Sequence, residues 1–172
     1  MGKSIILMGF MGSGKTSTGL ELSAMTGLPL IDTDQMIEEQ EGKTISRIFA
    51  DSGECYFRDL ETGLLEKLCG NDKSYVISIG GGMPVREQNR QLLKQLGTVV
   101  YLTASDKVLA ARLLGDTTRP LLADGDLREK IRSLKAAREE NYRNLADLTV
   151  DTDGKDPSEA AGMIVSLASL DA

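Results

Sequence analysis

The sequence predicts an α/β fold, a three-layer sandwich with helices on both faces of a five-stranded parallel sheet. Five short runs rich in Val, Ile and Leu are separated by stretches with helical spacing. Each run is continuously apolar instead of alternating, as expected of parallel strands buried on both faces. Strands that alternate with helices pair in parallel through right-handed crossovers, which sets the layers.

The first run, SIILMG (4–9), leads into the glycine-rich GFMGSGKT (9–16), with a helix expected at 15–26. The second, LPLIDTD (28–34), ends in two aspartates and is followed by helical patterns at 35–50, in two pieces, and at 52–69. In the latter, Phe57, Leu60, Leu64 and Leu68 form one apolar stripe. The third strand, YVISIG (75–80), runs into three glycines before a helix at 85–96. The fourth, TVVYLTA (98–104), precedes a helix at 105–114. LLGDTTRPLLADGD (113–126) fits neither period, and a loop of that length reads as a lid, spanning about 112–127. A helix at 128–145 carries Ile131, Leu134, Tyr142 and Leu145 on one stripe. The last strand, LTVDT (148–152), precedes a helix at 157–170 that starts with Asp156 as N-cap and Pro157 in the first turn.

The chain has 172 residues, which suits a single domain over 1–172. A net charge of −6 leaves no basic excess for nucleic acid, and no apolar run reaches the ~20 residues of a membrane span. No signal-peptide pattern precedes the first strand, and the expectation is a cytoplasmic monomer. Cys55 and Cys69 cannot form a disulfide framework and are expected as buried free thiols. There is no histidine, so a general base has to be a carboxylate or a lysine with a shifted pKa.

GFMGSGKT matches G-x-x-x-x-G-K-[ST] directly between a strand and a helix, the context in which that spacing means a nucleoside triphosphate site. Gly12, Ser13, Gly14 and Ser17 bring backbone N–H groups to phosphate oxygens at a helix N-terminus. Lys15 can reach the outer phosphates, and the Thr16 hydroxyl can ligate Mg²⁺. In IDTD, Asp32 and Asp34 alternate to one side of the strand end. They suit a hydrated Mg²⁺ and a substrate hydroxyl, or else they cap the next helix. Arg138 falls inside the apolar stripe of its helix, so it must meet an anion, either a ligand or an internal carboxylate. Arg58 and Glu61 stand three apart, and their pairing would hold the guanidinium fork for a carboxylate or diol, or form a plain surface ion pair. Arg119, in the lid, is either solvated or folds over the phosphates.

GFMGSGKT, IDTD, GECYFRDLE (53–61), SIGGGMP (78–84), RPLL (119–122) and LKAAREENYRNLA (134–146) occur in an order and spacing that resemble the shikimate kinases over essentially the whole chain. The resemblance implies P-loop kinase architecture and Mg²⁺-dependent transfer of the ATP γ-phosphoryl group to the 3-hydroxyl of shikimate, a step towards chorismate and the aromatic amino acids. It also implies a shikimate site of Asp34, Arg58, Gly80, Gly81, Gly82 and Arg138, and a metal site of Thr16 and Asp32. Lys15 and Arg119 fall to the phosphates, with Lys15, Asp34 and Arg119 as the catalytic set. Arg112 is placed near the adenine. Lys155 stands where the family often has an arginine and, lacking a planar guanidinium, cannot stack on a base in the same way. Same-fold alternatives are a kinase of another sugar acid, such as gluconate, or of a nucleoside monophosphate. A GTP switch would need N-K-x-D, which NDKS (71–74) does not supply.

Overall fold

The computed structural model describes residues 4–114 and 126–168. Five strands, β1 (Ser4–Met8), β2 (Leu30–Asp32), β3 (Val76–Ser78), β4 (Gly97–Thr103) and β5 (Leu148–Asp151), form one sheet in the order β2-β3-β1-β4-β5. Every pairing is parallel, with Ile6 of β1 opposite Ile77 and Val99. The helices are α1 (Lys15–Thr26), α2 (Thr33–Glu41), α3 (Ile45–Cys69), α4 (Glu87–Leu96), α5 (Asp106–Leu113), α6 (Leu127–Leu145) and α7 (Pro157–Leu167).

Alternation along the strands sorts the core. Ile6 and Met8, with Ile77, Val99 and Tyr101, face a layer built from α2, α3, α4 and α6. Ile5 and Leu7, with Val100, Leu102 and Val150, face Leu22 of α1 and Ala160, Ala161 and Ile164 of α7. Both faces of β1 are buried, which is why its sequence is continuously apolar. A smaller cluster of Phe10, Met11, Leu109, Leu113 and Ile131 seats the phosphate loop on α5 and α6.

The strands are shorter than the apolar runs suggest. The second ends at Asp32, whose Oδ1 accepts the N–H groups of Asp34 and Gln35 at 2.9 and 3.1 Å and caps α2. Asp34 therefore sits in the first helical turn, not on the strand, so strand alternation does not explain its direction. The segments expected at 35–50 and 52–69 emerge as α2 and a long α3 bent at Gly53, where φ 81° and ψ 173° interrupt the helix. A 3₁₀ turn, Met83–Val85, precedes α4. Cys55 is exposed, contrary to expectation, because it falls on the side of α3 away from Phe57; Cys69 is half-buried. The α7 N-terminus has the full capping box, Asp156 with Glu159. No helix among the described residues is long and apolar enough to cross a membrane. Arg119 and most of the 112–127 loop lie outside the described residues, as do 169–170 of the last predicted helix.

Candidate active site at the strand ends

The parallel order sends the carboxyl ends of β1, β2, β3 and β5 to one edge, where open α/β sheets bind ligands. A cleft of about 1060 Å³ occupies that edge. Its walls include Gly12–Ser17 after β1, Asp32 and Asp34 after β2, Gly80–Gly82 after β3, and Thr152 and Lys155 after β5. Arg112, Arg58, Glu61 and Arg138 reach it from α5, α3 and α6.

At one end the loop after β1 is shaped by Gly12 and Gly14, with φ of 82° and 94°, a left-handed conformation that other residues seldom adopt. Lys15 lies over this loop, its Nζ donating to the carbonyls of Gly9 and Phe10 at 2.9 and 3.1 Å. Thr16 and Ser17 are exposed at the start of α1, facing the cleft. Arg112 donates to the Gly12 carbonyl at 3.0 Å and to Thr152 Oγ1 at 3.3 Å, which ties α5 and the loop after β5 to the phosphate loop. Lys155 lies in that last loop on the same side.

At the other end the glycine turn 80–82 is walled by charge. A Cβ on Gly80 would stand 2.8 Å from Asp34 Oδ1 and 3.0 Å from Glu61 Oε1. On Gly81 it would stand 3.2 Å from Arg138 Nη1 and 3.4 Å from the Gly9 carbonyl oxygen. On Gly82 it would stand 2.3 Å from Arg58 Nη2. None of the three has positive φ, so it is space, not backbone strain, that requires glycine here. The 3.4 Å to Gly9 also shows that the two glycine loops abut.

Arg58 donates to Glu61 at 2.7 Å and to Glu54 at 3.0 Å, and its guanidinium lies 5.3 Å from the Phe57 ring. Glu61 is 0% exposed, so the pair is not a surface ion pair. Burial pushes the Glu61 carboxyl up to about 7 against the pull of Arg58, with Asp34 adding and Arg138 opposing. Arg138 is 6% exposed, packs over Phe10 at 6.0 Å, and has no carboxylate partner among the described residues. Its Nη1 and Glu61 Oε1 are buried without hydrogen-bond partners there. Arg138 thus makes no ion pair among the described residues, while its guanidinium lines the cleft.

Among the site residues expected from sequence, those that are described all line this cleft. Sequence reasoning left out Glu54, which shares Arg58, Thr33, whose Oγ1 accepts the Gly80 N–H at 3.1 Å, and Tyr142, whose hydroxyl donates to the Gly81 carbonyl. The i to i+4 spacings Glu54–Arg58 and Arg138–Tyr142 were the available signals.

A family model described as shikimate kinase matches residues 11–168. A curated shikimate kinase of Pelotomaculum thermopropionicum is 42% identical over 163 residues, covering 95% of this chain and 94% of that one. Among solved structures, a shikimate kinase from Acinetobacter baumannii in complex with shikimate matches with a TM-score of 0.93 and 37% identity, over 96% of this chain and 92% of that one. A gluconokinase from Sinorhizobium meliloti, 20% identical with a TM-score of 0.59 over 98% and 93% of the two chains, shares the fold.

Proposed function

This chain belongs to the shikimate kinase family, and we propose how its cleft carries out that family's reaction, transfer of the γ-phosphoryl group of ATP to the 3-hydroxyl of shikimate. The carrying observation is the abutment of the two glycine loops, where a Cβ on Gly81 would already touch the Gly9 carbonyl oxygen at 3.4 Å, with Asp34, Arg58 and Arg138 arrayed around the second. A small acid held there lies next to the phosphates held by the first.

Arg138 and Arg58 receive the shikimate carboxylate, because a buried and a largely buried guanidinium match an anion and Arg138 makes no ion pair among the described residues. Asp34, beside Gly80, accepts a hydrogen bond from the reacting hydroxyl and takes its proton as the new O–P bond forms and the bond to the β-phosphate oxygen breaks. A loose transition state asks little of a base, so orientation of the hydroxyl comes first and proton acceptance late. The backbone N–H groups of Gly12–Ser17 and the Lys15 ammonium stabilise charge on the phosphates, joined in this proposal by Arg119 from the lid. Arg112 and Lys155 border the nucleotide end.

The metal site fits its chemistry. Thr16 and Asp32 offer hard oxygen donors beside the phosphate loop, and both capping bonds of Asp32 fall on Oδ1. An ion there would be held mainly by water and substrate phosphates, as Mg²⁺ usually is. When bound there, Mg²⁺ supplies neutralisation of phosphate charge.

The deciding experiment is ADP production by the purified chain with ATP and Mg²⁺, against a panel of shikimate, gluconate and nucleoside monophosphates. Turnover dependent on shikimate alone supports the reading, and turnover on gluconate or a nucleotide without shikimate overturns it. A monomeric single domain over 1–172, working in the cytoplasm, completes the proposal and is tested by size-exclusion chromatography and cell fractionation.

A further inference from the structure

The glycine turn uses its backbone polar groups unevenly. The Gly80 N–H donates to Thr33 Oγ1 at 3.1 Å, the Gly80 carbonyl accepts Met83 N at 3.0 Å, and the Gly82 carbonyl accepts Val85 N at 3.1 Å. The Gly81 carbonyl accepts the hydroxyl of Tyr142. The N–H groups of Gly81 and Gly82 donate to nothing among the described residues, while both glycines line the cleft. Buried backbone donors are nearly always satisfied, so the unspent N–H of the buried Gly82, next to that of the half-buried Gly81 in the cleft wall, marks where a ligand accepts.

The Gly81 carbonyl and the Gly82 N–H share one trans peptide plane and point in opposite directions. Whatever fixes the carbonyl therefore fixes the N–H. Tyr142 is 0% exposed, its ring packs at a tilt against Tyr101 with centroids 5.2 Å apart, and burial pushes its phenol up to about 12, so it stays a donor at any ordinary pH. Tyr142 lies one turn beyond Arg138 on α6, and both reach the same glycine.

We propose that Tyr142 is a positioning residue for the acceptor substrate: by holding the Gly81 carbonyl against α6, it keeps the N–H of Gly82 turned to the bound hydroxy acid. This rests on the site reading above.

Tyr142→Phe keeps the ring and removes only the donor, and Arg138→Met is measured beside it. The expected result for Tyr142→Phe is a rise of about tenfold or more in shikimate KM, from loss of an oriented backbone donor, with ATP KM held within about twofold. A merely structural tyrosine would lower thermal stability and leave the two KM values moving together or not at all, and that outcome overturns the proposal. If Arg138→Met leaves shikimate KM unmoved, the site reading itself fails. If Arg138→Met raises it while Tyr142→Phe does not, only the role of Tyr142 fails. Should Tyr142→Phe not fold, ¹⁵N-glycine spectra of the wild-type chain decide: titration with shikimate should shift the Gly81 and Gly82 amides, and unmoved signals refute the idea.

Discussion

Glu61 shows how a single residue here is held against its own solvation. Oε2 meets Arg58 at 2.7 Å, Oε1 has no hydrogen-bond partner among the described residues, and burial raises the carboxyl from its ordinary 4.5 to about 7. A raised folded-state pKa means that the fold prefers the protonated form. That contribution is fully present below pH 4.5 and is lost as pH rises through 7, and the gap corresponds to roughly 3 kcal/mol. Glu61→Gln stays neutral and lacks this dependence. In urea unfolding from pH 5 to 8, wild type should lose stability relative to the variant; parallel curves for the two proteins would sink the assignment. Gly82 carries a second residue-scale prediction. A Cβ there would lie 2.3 Å from Arg58 Nη2 and 2.6 Å from Cζ, and Glu54 and Glu61 restrain that guanidinium. Gly82→Ala should therefore displace Arg58 and raise shikimate KM about tenfold or more, the factor that ~1.4 kcal/mol makes, with ATP KM unchanged. Steady-state kinetics with each substrate varied in turn checks it.

Among the elements, α3 is the one whose geometry sets the end of the cleft around the glycine turn 80–82. Its first half packs Ile48 into the core, and its second half presents Phe57, Arg58 and Glu61. The bend between them sits at Gly53, in a region of positive φ with extended ψ that is essentially glycine's alone. A Cβ at Gly53 would meet no atom within 4 Å, so Gly53→Ala isolates the backbone term. The variant should be destabilised by about 1–3 kcal/mol in chemical denaturation, through conformation and not through crowding. No loss of stability would mean that the helix straightens freely. The bend also shows what a sequence conveys. The stop near 50 and restart at 52 were legible, with Phe57, Leu60, Leu64 and Leu68 as the apolar stripe of the second piece, whereas the continuity of the two pieces as one helix bent at Gly53 was not. The strand ends were less legible: the apolar run continues past β3 into Ile79, which is buried without being part of the strand. Asp34 faces the cleft because Asp32 caps α2, an outcome that strand alternation could not foretell. Arg138 was legible as a charge inside an apolar stripe. Tyr142 was not, because a ring in such a stripe reads as core and its hydroxyl's partner lies sixty-one residues away.

For the whole molecule, the order β2-β3-β1-β4-β5 is what turns separate motifs into one cleft. It seats β3 between β1 and β2, so the glycine turn 80–82 lies beside both the phosphate loop and Asp34. Such an arrangement collects Arg58, Arg138, Asp34 and Glu61 at one sheet edge, where Arg138 Nη1 and Glu61 Oε1 are buried without hydrogen-bond partners among the described residues. Arg138→Leu tests this at the scale of global stability. Had Arg138 been half of a buried ion pair, its loss would strand a carboxylate and cost about 3–5 kcal/mol. No carboxylate pairs with it among the described residues, so the apo variant should melt at the same temperature as wild type or higher. Ligand effects should then separate. Shikimate at a hundredfold excess over its Kd stabilises wild type by about 2.7 kcal/mol, and a hundredfold weaker Kd cuts that to about 0.4 kcal/mol. The shikimate-induced rise in Tm should therefore nearly vanish in Arg138→Leu, while the ATP-induced rise persists, because the phosphate loop rests on Phe10 and Met11 and keeps its own packing. A lower apo Tm with the shikimate shift intact would return Arg138 to a structural role and leave the acid without its second guanidinium.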